Sequence, residues 1–330
     1  MNLNKRMING LPLNPIGLGC MNLSHAYDQP PTEKEASRLL LEAIDLGVDH
    51  FDTAALYGFG KNECLVGNVL KPVREKIFLA SKCGMRGVDG KREIDGRPEA
   101  LRATIEQSLT NLQTDALDLY YLHRWDKNVP IEESIGELSR MVAEGKIRSI
   151  GLSEVSAQTL TRAHREHKIS AVQTEYSLWT RNPEIAVLDA CQALDIAFVA
   201  FSPLARGFLT GVVNDPSILT DGDIRKGMPR FQSPHFEKNQ TLLNVVREIS
   251  QQASCSLAQV NLAWLLHQSN NIHPIPGTTQ ITHLQDNLGA NNVSLSQAQL
   301  STLGKAFEPA TISGKRYPEA TQQEVDTEEF

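Results

Sequence analysis

The feature that most constrains this chain is an alternation that runs along most of its length, in which short apolar runs are separated by longer amphipathic segments. Runs of strand length alternating with helical periods build βα units and a parallel sheet. Eight runs qualify as strands: Pro15 to Leu18, His50 to Asp52, Ile77 to Ser81, Leu117 to Leu122, Ser149 to Leu152, Ala171 to Thr174, Ala197 to Phe201 and Ile272 to Ile275. Between them lie helical stripes such as Glu33 to Gly47, where Ala36, Leu39, Leu40, Ala43 and Ile44 share one face and Gly47 is placed as a C-terminal cap. Similar stripes occur in PEALRATIEQSLTNL, IEESIGELSRMVAEG, SAQTLTRAHREH, PEIAVLDACQAL, TLLNVVREISQQA and SLAQVNLAWLLHQ. An α/β fold follows, a (β/α)8 TIM barrel. Its rival, the doubly wound open sheet, usually carries GxGxxG after its first strand, and this chain has Gly17, Leu18, Gly19, Cys20 there.

The 330 residues suit one decorated barrel as well as two average domains, so length does not choose between them. Asn9-Gly10 between short apolar runs predicts an N-terminal β-hairpin with a two-residue turn. Two stretches break the alternation. Thr210 to Gln240, a long loop after strand seven, is rich in Gly, Pro and charge, and loops of that length usually cover a site. From Thr311 the chain becomes polar and is expected to be disordered, so the division is a barrel domain over 1–310 and a tail over 311–330.

A net charge of -7 and the lack of any Lys/Arg run argue against nucleic acid as a partner. The opening MNLNKRMINGLPLN lacks the apolar core of a secretion signal, and no run is long enough to cross a bilayer. The expectation is a soluble, cytoplasmic protein with no membrane partner, a monomer or small homo-oligomer. Five scattered cysteines without a CxxC pair argue against both a disulfide framework and a zinc site. His164 and His167 form HxxH on a predicted helix but lack the glutamate and third ligand of a zinc protease, so no metal is expected.

In a barrel, side chains at the C-terminal ends of strands face the active site. Four reactive residues fall there: Asp52 ends strand two in HFDTAALYG, Tyr57 follows in its loop, Lys82 ends strand three, and His123 ends strand four in LDLYYLHRWD. A tyrosine with a pKa near 10 is a poor acid at neutral pH unless a neighbouring ammonium stabilises its phenolate, which Lys82 supplies. A carboxylate such as Asp52 keeps that lysine charged in a drying pocket, and His123 is placed to orient a substrate carbonyl.

DTAxxYG, the strand-end lysine and the strand-end histidine together resemble the catalytic tetrad of the aldo-keto reductases, in order and in strand placement. The resemblance runs from about Leu11 to about Ala306. GLSEVS, VQTEYSLW, AFSPLARGFLTG and MPRFQ are similar to the branch that holds bacterial oxidoreductases and plant perakine-reductase-like enzymes. It implies NADPH-dependent, reversible reduction of an aldehyde or ketone, with Tyr57 as proton donor and a small-molecule carbonyl as partner. It also implies cofactor contacts: Gly19, Met21 and Asp52 near strands one and two; Ser153 and Gln173 on the nicotinamide carboxamide, with Glu154 where many relatives have asparagine; and Phe201 stacked on the ring. Ser202, Leu204, Arg206, Gly207 and Leu209 would hold the pyrophosphate. Gly277, Thr278 and the following helix would take the adenosine phosphate, and Asn287 the adenine. Thr279 and His283 stand where NADPH-selective relatives commonly have Lys or Arg, which leaves NADH use open. The loop with Arg225, Lys226, Arg230 and Phe231 is expected to clamp the dinucleotide, and Trp125, Tyr27, Trp179 and Phe231 to line an apolar pocket. Two other readings remain at this stage: a Schiff-base lyase or isomerase using Lys82, and a nicotinamide-binding regulatory subunit.

Overall fold

The structure is a computed structural model that describes residues 5–27, 29–88 and 90–330; residues 1–4, part of the segment read for a secretion signal, lie outside the described residues. Strands β1 (Arg6–Ile8) and β2 (Leu11–Leu13) form the expected antiparallel hairpin, with Asn9 and Gly10 at φ 49° and 76° as its turn requires. β3 (Leu18–Gly19), β4 (His50–Asp52) and β5 (Phe78–Cys83) begin the barrel. A second hairpin, β6 (Met85–Val88) and β7 (Lys91–Ile94), interrupts it. Then come β8 (Leu119–Leu122), β9 (Ile150–Ser153), β10 (Ile169–Glu175), β11 (Ala197–Phe201) and β12 (Ile272–Pro274).

The eight barrel strands run in the order β12-β11-β10-β9-β8-β5-β4-β3, and a parallel bridge between Gly19 and Gly277 closes the ring. Around it pack α1 (Glu33–Asp45), α2 (Lys61–Leu70), α3 (Pro98–Leu112), α4 (Ile131–Ala143), α5 (Ala157–Glu166) and α6 (Val187–Ala193). After β11 come α7 (His235–Gln240), α8 (Leu243–Ala253) and α9 (Leu257–Gln268); after β12 come α10 (Ile281–Gly289), α11 (Gln297–Ala306) and α12 (Glu319–Gln322). The first barrel strand is shorter and later than Pro15 to Leu18: Pro15 has no N–H to donate, and Gly17 N gives the Pro274 carbonyl a single bond at 3.1 Å before the ladder with β4 begins at Leu18.

The period of two along each strand separates two packing surfaces. Leu79, Leu122, Leu152 and Phe198 face the helices, while Phe78, Ala80, Leu119, Tyr121, Ala171 and Val199 form the barrel interior, stoppered below by Ile8 and Leu13 of the hairpin. The same parity carries the next inward positions, Lys82, His123, Gln173 and Phe201, to the upper mouth. Gly151 fits this packing: a Cβ there would stand 2.3 Å from the Tyr121 ring.

At the opposite end, His50 and His273 lie with ring centroids 6.5 Å apart, fully buried, and neither ring has a side-chain hydrogen-bond partner among the described residues. Burial lowers both pKa values from 6.5, that of His273 to about 3. At these two sites the folded chain therefore binds fewer protons than the unfolded chain below about pH 6.5, so their contribution to stability is complete above that pH and is lost as pH falls toward 3. Urea midpoints measured from pH 7.5 to 4 are expected to drop, and His273→Phe to flatten the slope by about one proton. An unchanged slope in that variant would remove His273 from the cause.

The loop over 210–240 is not structureless. Short helical turns at Pro216–Ile218, Ile224–Gly227 and Pro229–Phe231 precede α7. The tail departs further from expectation, because it straps across the mouth instead of leaving it. Ser313 is held by Asn239, Lys127 donates to the carbonyls of Gln323 and Val325, Arg92 pairs with Glu324, and Asp326 accepts from Ser156. Its polarity is the polarity of groups that find partners on the barrel. Among the described residues no helix is long and apolar enough to cross a membrane.

Candidate active site

Asp52, at the end of β4, and Lys82, on the inner face of β5, meet in a site closed to solvent, with side chains 2 % and 0 % exposed. An ammonium has three protons, and Lys82 has an acceptor for each. It pairs with Asp52 Oδ1, donates to the Thr53 carbonyl at 2.8 Å, and reaches the Tyr57 hydroxyl oxygen at 3.3 Å. Burial works to lower the Lys82 pKa, but Asp52 and Tyr57 outweigh it and the net shift is upward, so the ammonium form is held. Gln173 Nε2 donates to the other Asp52 oxygen at 2.7 Å.

Tyr57 begins a tight turn, Tyr57–Gly60, in which Gly58 and Phe59 take left-handed backbone at φ 57° and 53°. Asn62, the second residue of α2, fixes this loop by donating to the Cys20 carbonyl and Ser24 Oγ and accepting from Thr53 Oγ1 at 2.6 Å. Burial raises the Tyr57 pKa above 10 more than Lys82 lowers it. The phenol therefore keeps its proton while its oxygen accepts from the ammonium, leaving that proton for an incoming acceptor. The His123 ring stands 5.8 Å from the Tyr57 ring, edge to face at 83°. Burial first, then the charges of Arg124 and Lys82, push its pKa well below 6.5, and its Nδ1 is buried without a partner among the described residues. His123 is neutral, and the four side chains stand together at the mouth of the barrel.

The positions singled out for a cofactor spread around this unit. Gly19 ends β3, a Cβ there standing 2.9 Å from the Ile275 carbonyl, and Met21 opens the next turn, half-buried. Ser153 ends β9 and lies 3.4 Å from Arg124 Nη1, whereas Gln173 sits within β10 and not at its end. Phe201, half-buried, rests on the barrel interior at the mouth. Ser202 and Gly207 have left-handed backbone at φ 46° and 90°, and Leu204 is half-buried while Leu209 is in the core. Gly277, Thr279 and His283 are exposed; Thr278 Oγ1 accepts from Gln280 N at 3.1 Å, and α10 starts with no side-chain cap, leaving first-turn N–H groups available to an anion. Asn287 is buried on α10.

Two of these positions are committed to ion pairs, one of them with the tail. Arg206 grips Glu175 at 2.9 and 2.7 Å, and Glu154, fully buried, is gripped by Arg316. Glu175, Arg316 and Tyr317 are not legible in the sequence, because the acid lies in an apolar strand and the other two in a polar tail; the one signal is the Arg-Tyr pair within that tail. The pocket walls also need correction. Trp179 and Phe231 are core, with Trp179 stacked on Phe208 at 3.9 Å and edge to face with Phe231, while Tyr27 and Trp125 stay partly exposed. Tyr27 lies under Arg225 at 5.1 Å, and Ile224 N donates to the Ala26 carbonyl at 3.0 Å, so the long loop bridges the mouth to the loop after β3. His164 Nδ1 accepts from Ile169 N at 3.2 Å, and no group of three or more metal-binding side chains occurs among the described residues.

A parallel eight-stranded barrel brings Asp52, Tyr57, Lys82 and His123 together at its C-terminal mouth, the face on which barrel enzymes carry their active sites. The profile of the aldo/keto reductase family matches residues 15–308, and the chain belongs to that family. It is 41% identical over 311 residues to the probable aldo-keto reductase 1 of Glycine max, covering 93% of this chain and 89% of that one. It is 40% identical to an NADP(+) aldo-keto reductase of Schizosaccharomyces pombe, covering 96% and 95%. Among solved structures it resembles a glycerol dehydrogenase from Gluconobacter oxydans (TM-score 0.87, 26% identity, coverage 96% and 98%). It also resembles a Klebsiella pneumoniae aldo-keto reductase in complex with NADP and acetate (TM-score 0.73, 25% identity, coverage 96% and 99%).

Proposed function

We propose that this chain reduces aldehydes or ketones to alcohols, reversibly, with NADPH as cofactor and Tyr57 as proton donor. The observation that carries the reading is the Lys82 ammonium, fixed by Asp52 and Thr53 and directed at the Tyr57 oxygen at 3.3 Å. Relatives named or solved with NADP support the cofactor. The residues present fit it: the half-buried Phe201 ring at the mouth, the left-handed turns after β11, and the uncapped start of α10 suit a flat ring, a close backbone approach and a phosphate. When bound, reduced nicotinamide supplies the hydride that the carbonyl carbon accepts.

The chain's own residues do the rest. Tyr57 gives its proton to the carbonyl oxygen, Lys82 stabilises the phenolate left behind, Asp52 holds Lys82 charged, and neutral His123 orients the oxygen by a hydrogen bond. The charged state of Lys82 disfavours Schiff-base chemistry, which needs a neutral amine. Thr279 and His283 give no arginine or lysine to a 2'-phosphate, so NADPH is expected to be preferred over NADH by a modest factor, about tenfold or less. Nicotinamide absorbance followed with each cofactor across a panel of aromatic and aliphatic aldehydes tests this. The expected result is aldehyde-dependent loss of NADPH absorbance; no oxidation of either cofactor across the panel would overturn the function.

A further inference from the structure

The ends of β9 and β10 present two glutamates at the mouth, and each is neutralised by a different part of the chain. Glu175 is held by Arg206, from the loop directly after β11, and accepts from the Tyr317 hydroxyl at 3.3 Å. Glu154 is held by Arg316, 162 residues further along, so its salt-bridge partner among the described residues comes from the tail. Neither side chain of that pair meets solvent appreciably, with exposures of 0% for Glu154 and 6% for Arg316. Glu154 also has left-handed backbone at φ 56°, which turns it back under the strap. There Oε1 accepts from Glu175 N at 2.9 Å and its own carbonyl accepts from Asp326 N at 2.9 Å. Two more cations stand nearby: Arg230 is spent on carbonyls of Trp179 and Gly314 and on Thr180 Oγ1, and Arg124 on the His123 carbonyl and Ser153 Oγ.

The pair is close to the chemistry. Glu154 N donates to the Gln173 carbonyl at 3.0 Å, and the Gln173 side chain donates directly to Asp52. Glu154 follows Ser153, so it borders the surface assigned above to the nicotinamide end of the cofactor. The oxidised ring carries a positive charge that the reduced ring lacks. A buried, uncompensated carboxylate beside it would favour the oxidised form, and an uncompensated arginine the reduced form, because charges act strongly where water is excluded.

We infer that Arg316 of the C-terminal strap is a positioning residue that sets the balance between oxidised and reduced cofactor by cancelling the charge of Glu154. The inference rests on the proposed function, and it makes the strap part of the redox site. It predicts effects of opposite sign from the two halves of one ion pair, which a merely structural latch would not give.

The test measures dissociation constants of the full chain for NADP+ and NADPH by quenching of protein fluorescence, at about pH 8.5 so that a carboxylate left unpaired stays ionised. Arg316→Met is expected to raise the ratio of the NADPH to the NADP+ constant by about tenfold, and Glu154→Gln to lower it by a similar factor. The double variant should return the ratio to within about threefold of wild type, and Arg316→Lys, which keeps the charge, should hold it within about twofold. Single variants that weaken both nucleotides together with an unmoved ratio, or shift the ratio in the same direction, overturn the inference. A wild-type chain that binds neither nucleotide overturns the proposed function instead.

Discussion

Tyr57→Phe is expected to lower kcat for carbonyl reduction by about a thousandfold or more while leaving the dissociation constant of NADPH within about twofold. The reason lies in the direction of the protons around the phenol oxygen. Lys82 donates to that oxygen, so the hydroxyl proton is the one group of this unit free to pass to a substrate. His123 is neutral and Lys82 is committed to Asp52 and Thr53, so neither is poised to substitute. Single-turnover kinetics with saturating NADPH checks this. Turnover within tenfold of wild type in the phenylalanine variant would move the proton donor elsewhere.

The largest effect on stability is expected from Lys82→Met. The variant leaves Asp52 buried, with Gln173 as its remaining hydrogen-bond donor, and breaking a buried pair from one side typically costs about 3–5 kcal/mol. Adding Asp52→Asn removes the stranded charge, so the double variant is expected to recover more than half of the loss in urea denaturation. It should recover none of the activity, because nothing then stabilises the Tyr57 phenolate. A single variant within about 1 kcal/mol of wild type would mean that the pair is hydrated and not closed as found here.

These two expectations rest on different kinds of knowledge. The barrel and its four mouth residues were legible because they obey local rules: strand parity places Lys82 two residues above Ala80 and four above Phe78, and strand ends point to the catalytic face. The β6–β7 hairpin escaped notice because its strands are short and charged and have no apolar alternation to read. The second helix, Lys61–Leu70, was likewise not among the segments read as helical, though Asn62 and Glu63 on it are buried behind the site.

The sequence by itself determined the eight-stranded alternation, the N-terminal turn at Asn9-Gly10, and the placement of Asp52, Lys82 and His123 at the upper strand ends, since each depends on neighbours a few positions away or on one strand's phase. Only the tertiary structure decided the protonation state of those residues, the burial of Trp179 and Phe231, and the course of the tail. Those depend on burial and on partners far apart in the chain. Arg316 reads as one more cation in a polar terminus until the fold brings it, across 162 residues, against Glu154. There the cost of burying either charge alone holds the two together.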